Sequence, residues 1–482
     1  MIAEIFYDKN KFFILELVIA LFHLVGWVLI VRALLIARTS QSAIGWVLGL
    51  FFLPYITVPL FLVFGQSKFS GYTLSGEGKS PELDKLRERV KAALKNFETP
   101  LGDRYGDLRR MFQRLSGLSP VGGNEVKLLV DGQQTFDAVF EAIDQAQRFL
   151  VIQFYIIHDD KLGQRLKQKL IAARHRGVTV YVLYDGIGSK KLPETYRQEL
   201  LQKGVKIAAF VTNRELGVRF QINFRNHRKL VIVDGHVGFT GGLNVGDEYM
   251  GESSAFGPWR DTHIRVTGPA VTAMQLAFAE DWHYAANEIP DLPIAPELAG
   301  SKRGFYFWSG PADSVEICPA LYLEMIRTAK QRLWIASPYF VPDIALRLAL
   351  QHAALRGVDV RIILPGMADH KLPYLSSFGF YPFMRKAGIR LYRMKEGFMH
   401  QKVLLIDDEL AMVGSVNLDS RSFMLNFESA MVVQDHAFCH EMEEMLLADI
   451  AASNEENLDR YEKGNLLFRL KVRAASLMAP EQ

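Results

Sequence analysis

Cysteine is almost absent: the 482 residues hold two, Cys318 and Cys439. Two isolated thiols build neither a zinc cluster nor a disulfide framework. They read as small buried side chains and fit a reducing compartment. A one-sided charge is lacking as well. With 56 Lys and Arg against 53 Asp and Glu, the formal net charge is +3. So mild a balance does not mark a polyanion-binding protein. No carboxylate or cysteine cluster insists on a metal, so neither a metal nor another cofactor is expected. The last absence is local. Ala43 to Phe64 has no charged residue, and Phe12 to Val31 is apolar apart from Glu16 and His23.

Each of these two runs is long enough for the ~20-residue helix that a ~30 Å hydrocarbon layer requires. A short polar link, "RTSQS" from Arg38 to Ser42, separates them. The pattern predicts a transmembrane helical hairpin within residues 1–66, with helices at about 12–36 and 43–64. A cleaved secretory signal fits poorly: the first run is too long, no small-residue cleavage site follows, and a second span comes at once. Pro54 and Pro59 would kink the second helix, which membrane spans tolerate. Glu16 and His23 could sit near a helix end, face the partner helix or meet lipid headgroups. The outer flanks carry Lys9, Lys11 and Lys68, then Lys85, Arg87, Arg89, Lys91 and Lys95, against Arg32 and Arg38 near the link. This positive-inside bias places both termini of the multi-pass chain in the cytoplasm.

The length suggests more than one unit. Pro81 to Leu118 is charged with helical spacing and reads as part of a helical linker, 67–122. A pattern then occurs twice. "VKLLVDGQQTFDAVFEAIDQAQRFLVIQFYII" from Val126 continues to "LIAARHRGVTVYVLYDG", ending at Gly186. "SVEICPALYLEMIRTAKQRLWIASPYFV" from Ser314 leads to "LALQHAALRGVDVRIILPG", ending at Gly366. Each reads strand, helix, buried strand, helix, then a strand opened by "RGVxV". Short β-branched runs alternating with amphipathic helices predict an α/β layered domain. Two such halves, 123–290 and 291–455, can pack about a pseudo-twofold axis. Residues 456–482 form an amphipathic C-terminal tail.

Each half carries the same short motif. "NHRKLVIVDGHVGFTGGLN" and "MHQKVLLIDDELAMVGSVN" both read His-x-Lys, four residues, Asp, six residues, Gly, two residues, Asn. On an extended strand, side chains two apart share a face. His227 therefore points with Lys229, and His400 with Lys402, while Arg228 and Gln401 point elsewhere. Asp234 and Asp407 stand at odd offsets, where turns are expected, and are read as braces. Asn244, Ser415 and Asn417 are candidate donors to phosphate oxygens. Two histidines and two lysines meeting at one point suit phosphoryl chemistry: a neutral imidazole is a nucleophile, an imidazolium an acid. The lysines and amides would stabilise charge on the non-bridging oxygens without a metal.

The doubled motif resembles that of the phospholipase D superfamily. Nearly the whole chain resembles its bacterial cardiolipin synthases, through "SAIGWVLGLFFLPYITVPLFLVFG", "INFRNHRKLVIVDG", "GGLNVGDEY", "PWRDTHIRVTGPAV", "GFMHQKVLLIDD" and "GSVNLDSRSFMLNFE". The resemblance implies phospholipase D-like α/β/α sandwich halves and an exchange in two steps. One histidine attacks the phosphorus of a phosphatidyl donor, and the other protonates the departing alcohol. A second alcohol then attacks the phosphatidyl-histidine. The family pattern puts His227 in the attacking role and His400 in the acid/base role. It also implies that Asp261 and Glu428 hold the second nitrogen of the histidines, which fixes the tautomer. Gly242 stands where the second motif has Ser415, an asymmetry that similar synthases share. The implied partners are phosphatidylglycerol and cardiolipin in the membrane, with no nucleic acid; a homo-oligomer is left open. Rival activities are a phospholipase D that hydrolyses headgroups to phosphatidic acid, a nuclease, and a non-enzymatic scaffold. The modest charge and the membrane segments argue against the nuclease, and two intact motifs against the scaffold.

Other stretches admit two readings. His175, His352, His436 and His440 are read as structural. "DGIGSKK", Asp185 to Lys191, is an anion-binding nest or an ordinary turn. Tyr155 and Tyr339 occupy matching places after the buried strands, and line the pocket or pack. "YLSSFGFYPF", Tyr374 to Phe383, is an acyl-chain groove, a membrane rim or core. "NLLFRLKVRAASLM", Asn465 to Met478, lies on an anionic leaflet or docks on the catalytic domain.

Overall fold

A computed structural model describes residues 2–37, 40–65, 69, 80–212 and 223–478, with side chains from Phe13 onward. The side chains of Lys9 and Lys11, together with Arg38, Lys68, most of the stretch 67–80 and the last four residues of the tail, all invoked above, lie outside what it describes. The chain divides into two units, Met1–Tyr72 with Thr212–Phe224, and Thr73–Val211 with Arg225–Gln482.

In the first unit, helix α1 runs Ile2–Ile36. Its stretch Phe13–Ile36 is, among the described residues, the one helix long and apolar enough to cross a membrane. The second apolar run differs from expectation. It forms two short helices, α2 Ser40–Phe52 and α3 Pro54–Phe64, rather than one kinked helix. Pro54 has no N–H to continue the ladder and occupies the first turn of α3 instead, so the break falls at Leu53. Leu29, Ala33, Leu50, Val58 and Phe61 form the buried centre of this unit. Gly26 permits the contact between α1 and α2, since a Cβ there would meet the Leu50 carbonyl at 2.9 Å. His23 bonds the Ile19 carbonyl at 2.9 Å and faces the Tyr55 ring, whereas Glu16 is exposed.

The second unit is built on one mixed sheet of 16 strands, two of them short: Ser453–Glu455, which pairs with Arg390–Met394 at one edge, and Arg225–Asn226, which pairs with Asn426–Gln434. In chain order, the first seven of the longer strands are β1 Val121–Val130, β2 Phe149–Phe154, β3 Thr179–Asp185, β4 Lys206–Phe210, β5 Leu230–Val233, β6 Val237–Gly241 and β7 Thr262–Thr267. The next seven are β8 Lys302–Ser309, β9 Arg332–Ala336, β10 Asp359–Leu364, β11 Arg390–Met394, β12 Val403–Ile406, β13 Leu410–Gly414 and β14 Asn426–Gln434. Their order across the sheet is β11-β10-β9-β12-β13-β14-β8-β1-β7-β6-β5-β2-β3-β4. Counting outward from the antiparallel β8–β1 pair, each strand meets its sequence counterpart in the other half. The second repeat thus begins at Lys302, upstream of Ser314, where the sequence pattern placed it.

Local chemistry explains the repeated unit. "FLVIQF" in β2 is buried at every position, as befits a strand covered on both faces. Parallel β2 and β3 need a crossover, supplied by the helix Lys161–His175, whose first turn is capped by Asp160 accepting the Gly163 N–H at 3.0 Å. The second half repeats this with the helix Ile344–Leu355 and Asp343 accepting the Leu346 N–H at 2.7 Å. Both helices end at the glycine of "RGV": Gly177 and Gly357 share φ of 91°, a left-handed conformation that stops a helix cheaply only without a side chain. The helix Pro81–Leu94 buries Leu83, Leu86, Val90 and Leu94 along one face. Farther along the chain, the Arg104 guanidinium donates to the Asp407 carboxylate.

Candidate active site

His227 and His400 do not lie in strands, contrary to the alternation argument; they fall in short segments entering β5 and β12. Each segment is stitched to the opposite half. Arg225–Asn226 pairs in parallel with Asn426–Phe427, and Phe398–Met399 with Trp259–Arg260. The His227 N–H donates to the Phe427 carbonyl at 2.9 Å, and the His400 N–H to the Arg260 carbonyl at 2.8 Å.

The residues following those carbonyls are Glu428 and Asp261, so the carboxylates arrive crosswise. His227 Nδ1 lies 3.0 Å from both oxygens of Glu428, and His400 Nδ1 lies 2.8 Å from Asp261 Oδ2. A carboxylate selects a proton on Nδ1 and leaves Nε2 as the reactive nitrogen. Both imidazoles border one cavity of about 630 Å³. Its wall includes Tyr155, Tyr339, Asn244, Asn417 and Arg225.

Burial dominates the electrostatics. It pulls His227 down to about 4, and His400 well below its ordinary value with Lys402 and Lys229 adding to the effect. The surroundings of both rings thus favour the neutral imidazole. Burial also lowers both lysines, Lys402 to about 8. Burial raises the Asp261 carboxyl. The Glu428 carboxyl would also rise on burial, but His227, Lys229 and Ser415 hold it below the usual range. An anion entering the cavity would restore charge to the imidazoles and lysines.

Of the remaining motif residues, Asn244 and Asn417 border the cavity, whereas Lys229, Lys402, Asp234, Asp407 and Ser415 lie behind its lining. Lys229 Nζ donates to the His227 carbonyl at 2.6 Å, and Lys402 Nζ donates to the His400 carbonyl. Each lysine thus grips the backbone of its own histidine. Asp234 and Asp407 do not border the cavity. They sit at the far ends of β5 and β12 with φ of 54° and 52°. The Asp234 carboxylate accepts N–H groups of Gln147, Arg148 and Phe149 at 2.7–2.9 Å; Asp407 accepts those of Gln331 and Arg332 at 2.8 Å. Their place is structural, as braces of the loops entering β2 and β9, rather than among the reacting groups.

Ser415 is also displaced from its expected place. Its hydroxyl donates to Glu428 and does not border the cavity. Gly242 explains the asymmetry between the motifs: a Cβ there would meet Asp261 Oδ1 at 2.0 Å. The shorter Asp261 must approach the backbone closely, whereas the longer Glu428 leaves room for a serine. Asn244 accepts the Ile156 N–H at 3.2 Å and donates to Tyr249 at 3.1 Å. Asn417 borders the cavity, and its side-chain oxygen is buried without a partner among the described residues.

The open alternatives resolve as follows. Tyr155 and Tyr339 both line the cavity; the Tyr155 ring meets His227 edge-on at 5.0 Å and its hydroxyl accepts from Arg225 at 2.8 Å. The "DGIGSKK" loop is an ordinary turn, since the Ile187 and Gly188 N–H groups are taken by Asp185 itself at 2.9 and 2.8 Å. Tyr374, Phe378 and Tyr381 surround the Arg393 guanidinium; Phe378 and Tyr381 are buried in the core and Tyr374 is half-buried. His175, His352, His436 and His440 are exposed and do not border the cavity. Cys318 and Cys439 are free and buried.

Sequence reasoning passed over the intervening residues Arg228 and Gln401. Arg228 is wholly buried and donates to Asp281 at 2.7 Å, to the Glu428 carbonyl at 3.2 Å and to the Ser309 carbonyl at 3.1 Å. Gln401 accepts from Thr262 at 2.8 Å and donates to Asp449 at 2.7 Å. The signal was their polarity at a position facing away from the site, which requires a buried partner. Asp185 was missed as well: burial pushes its carboxyl up to about 6, and it accepts the Asn226 N–H at 2.7 Å beside His227.

Three comparisons bear on this geometry. The family model described as "Cardiolipin synthase, PLD-like domain" matches residues 139–257 and 322–450. Cardiolipin synthase A of Pseudomonas putida is 43% identical over 98% of this chain and 99% of its own length. That of Pseudomonas fluorescens is 44% identical over 96% of this chain and 97% of its own. Among solved structures, phosphatidylserine synthase of Haemophilus influenzae superposes with a TM-score of 0.60 at 13% identity, over 82% of this chain and all of the other.

Proposed function

The chain belongs to the cardiolipin synthase family of phospholipase D-like phosphatidyltransferases, and from that membership we propose that it condenses two phosphatidylglycerols into cardiolipin and releases glycerol. The observation that carries the chemistry is the pair of imidazoles bordering one cavity, each bonded through Nδ1 to a carboxylate of the opposite half. His227 Nε2 attacks the phosphorus of the first lipid, and the bond from phosphorus to the headgroup glycerol oxygen breaks. His400, protonated beside the bound anion, gives its proton to that oxygen. The neutral His400 then takes the proton of a glycerol hydroxyl on the second lipid. That oxygen attacks phosphorus, and the bond to His227 breaks.

Lys229 and Lys402 supply the positive charge that steadies the phosphoryl oxygens, and Asn244 and Asn417 orient the headgroups. Asp261, Glu428 and Ser415 set the tautomers; Asp234 and Asp407 hold the loops. In this reading residues 123–290 and 291–455 are sandwich halves about a pseudo-twofold, joined by the 67–122 linker to a membrane hairpin in residues 1–66. The catalytic part faces the cytoplasm of a bacterial cell, beside the bilayer that delivers donor and acceptor.

The test is incubation of the purified chain with phosphatidylglycerol and mass spectrometry of the products. Cardiolipin with an equal amount of glycerol is expected. Phosphatidic acid as the main product would replace the synthase by a hydrolase.

A further inference from the structure

The C-terminal helix Leu466–Leu477 has two faces with different fates. Phe468, Val472 and Ala475 turn inward: Val472 and Ala475 are buried, and the Phe468 ring meets Phe378 at 5.4 Å. Leu466, Leu467, Leu470 and Leu477 are 71, 62, 56 and 82% exposed. At about 100° per residue, these four leucines fall within one arc of roughly 100°, opposite the docked face. On the same wheel, Arg469 and Arg473 flank the leucines on one side and Lys471 on the other. The helix contains no acidic residue. Asn465 caps its start, accepting the Phe468 N–H at 2.8 Å, so the helix is a built element and not a frayed end.

We propose that this helix is an interfacial element that inserts its leucine face into an anionic lipid surface and seats the cavity mouth there. A leucine stripe bordered on both sides by cations is the pattern of a helix lying in the headgroup layer of an acidic bilayer. The charges also select the occupant. A second copy of the helix on this face would set basic flank against basic flank, whereas acidic headgroups neutralise both. The helix packs on the helix Lys371–Ser377, whose Lys371, Leu372 and Pro373 line the cavity. Leu372 is itself 47% exposed, so apolar surface continues toward the opening. Seating the helix therefore delivers the mouth to the depth at which a phosphatidyl headgroup resides.

The inference rests on the reading that the substrate is a membrane lipid, and its test does not require turnover. Leu470→Cys in the full chain is labelled with an environment-sensitive dye; Cys318 and Cys439 are buried and escape the reagent. The chain is reconstituted into vesicles of phosphatidylglycerol and acyl-brominated phosphatidylcholine. Quenching of more than half of the emission is expected. Emission left unquenched overturns the proposal, whether the label stays in water or is covered by a second copy or a soluble partner. A companion variant, Leu466→Ser with Leu470→Ser and Leu477→Ser, should lose about tenfold in turnover of vesicle lipid and none in detergent micelles. Equal turnover in vesicles overturns it too. Strong quenching from a chain that makes no cardiolipin would sink the proposed function alone.

Discussion

Asp261 and His400 belong to different halves of the chain, yet their side chains meet at 2.8 Å. Glu428 and His227 repeat the relationship in reverse at 3.0 Å. Each ring is therefore oriented by the copy to which it does not belong.

Replacement of Asp261 by Asn should remove the acceptor that fixes the His400 tautomer while preserving its shape. Turnover is expected to fall roughly 10²–10⁴-fold with little change in KM. Adding Asp261→Asn to His400→Ala should cost little more. Additive losses in the double variant would refute the idea that Asp261 acts through that ring.

The closeness of Gly242 to Asp261 predicts a compensating pair. Gly242→Ser alone drives a side chain into the carboxylate and should cost at least 10²-fold in activity by displacing the His400 support. Combining it with Asp261→Glu recreates the Ser415–Glu428 arrangement and should recover part of that loss. Equal activity of the single and double variants would show that the spacing between strand and carboxylate is not what selects glycine.

Burial holds His227 at about 4, below its ordinary 6.5. An unfolded chain takes up this proton as pH falls through 6.5, and the folded chain does so only near 4. Between those values the unfolded state binds more protons, so the wild type must lose stability as pH falls. For this ring the loss reaches on the order of 3 kcal/mol at pH 4. Buried carboxyls such as Asp185, raised to about 6, act in the opposite sense. The measurement is therefore a difference: melting temperatures of wild type and His227→Ala across pH 7 to 5. Wild type should lose ground steadily to the variant, and a constant gap would contradict a neutral buried ring.

Arg228 ties Asp281 to two carbonyls of the other half, and its guanidinium is wholly buried. Arg228→Ala leaves Asp281 without its cation and should destabilise the catalytic unit by about 3–5 kcal/mol. Asp281→Asn with Arg228→Met should restore part of that, since no uncompensated charge remains. Thermal unfolding of the three proteins reads this out; equal stability of Arg228→Ala and wild type would remove Arg228 from the account.

Much of this was legible in the chain. The duplicated strand–helix pattern was legible as strand, helix, buried strand, helix and strand in each copy, because β-branched runs and "RGV" helix stops carry local signals; the remaining strands of each half came only with the fold. The His-x-Lys pairs, Asn244, Asn417, Tyr155 and Tyr339 were found by spacing and repetition. The strand expected over His227 and Lys229 is absent because backbone pairing across the halves, a long-range contact, pulls these residues out of the ladder, although Arg228 between them still faces away from the site. Ser415 was misplaced for a similar reason: its hydroxyl answers to Glu428, which only the fold brings near. The helix expected at 43–64 with kinks at Pro54 and Pro59 is instead broken at Leu53, because Pro54 starts a new helix rather than bending the old one. Arg228 and Asp281 could not be paired by any sequence rule, since they stand 53 residues apart in the first half and meet only once that half has folded.

Gly242 behind one carboxylate and Ser415 behind the other make the two histidine supports unlike, although the strands around them correspond. Supports related by an exact twofold would give both rings the same acceptor. Here Glu428 stays below the usual carboxylate range while burial raises Asp261, so exchanging the two rings would not leave the site unchanged.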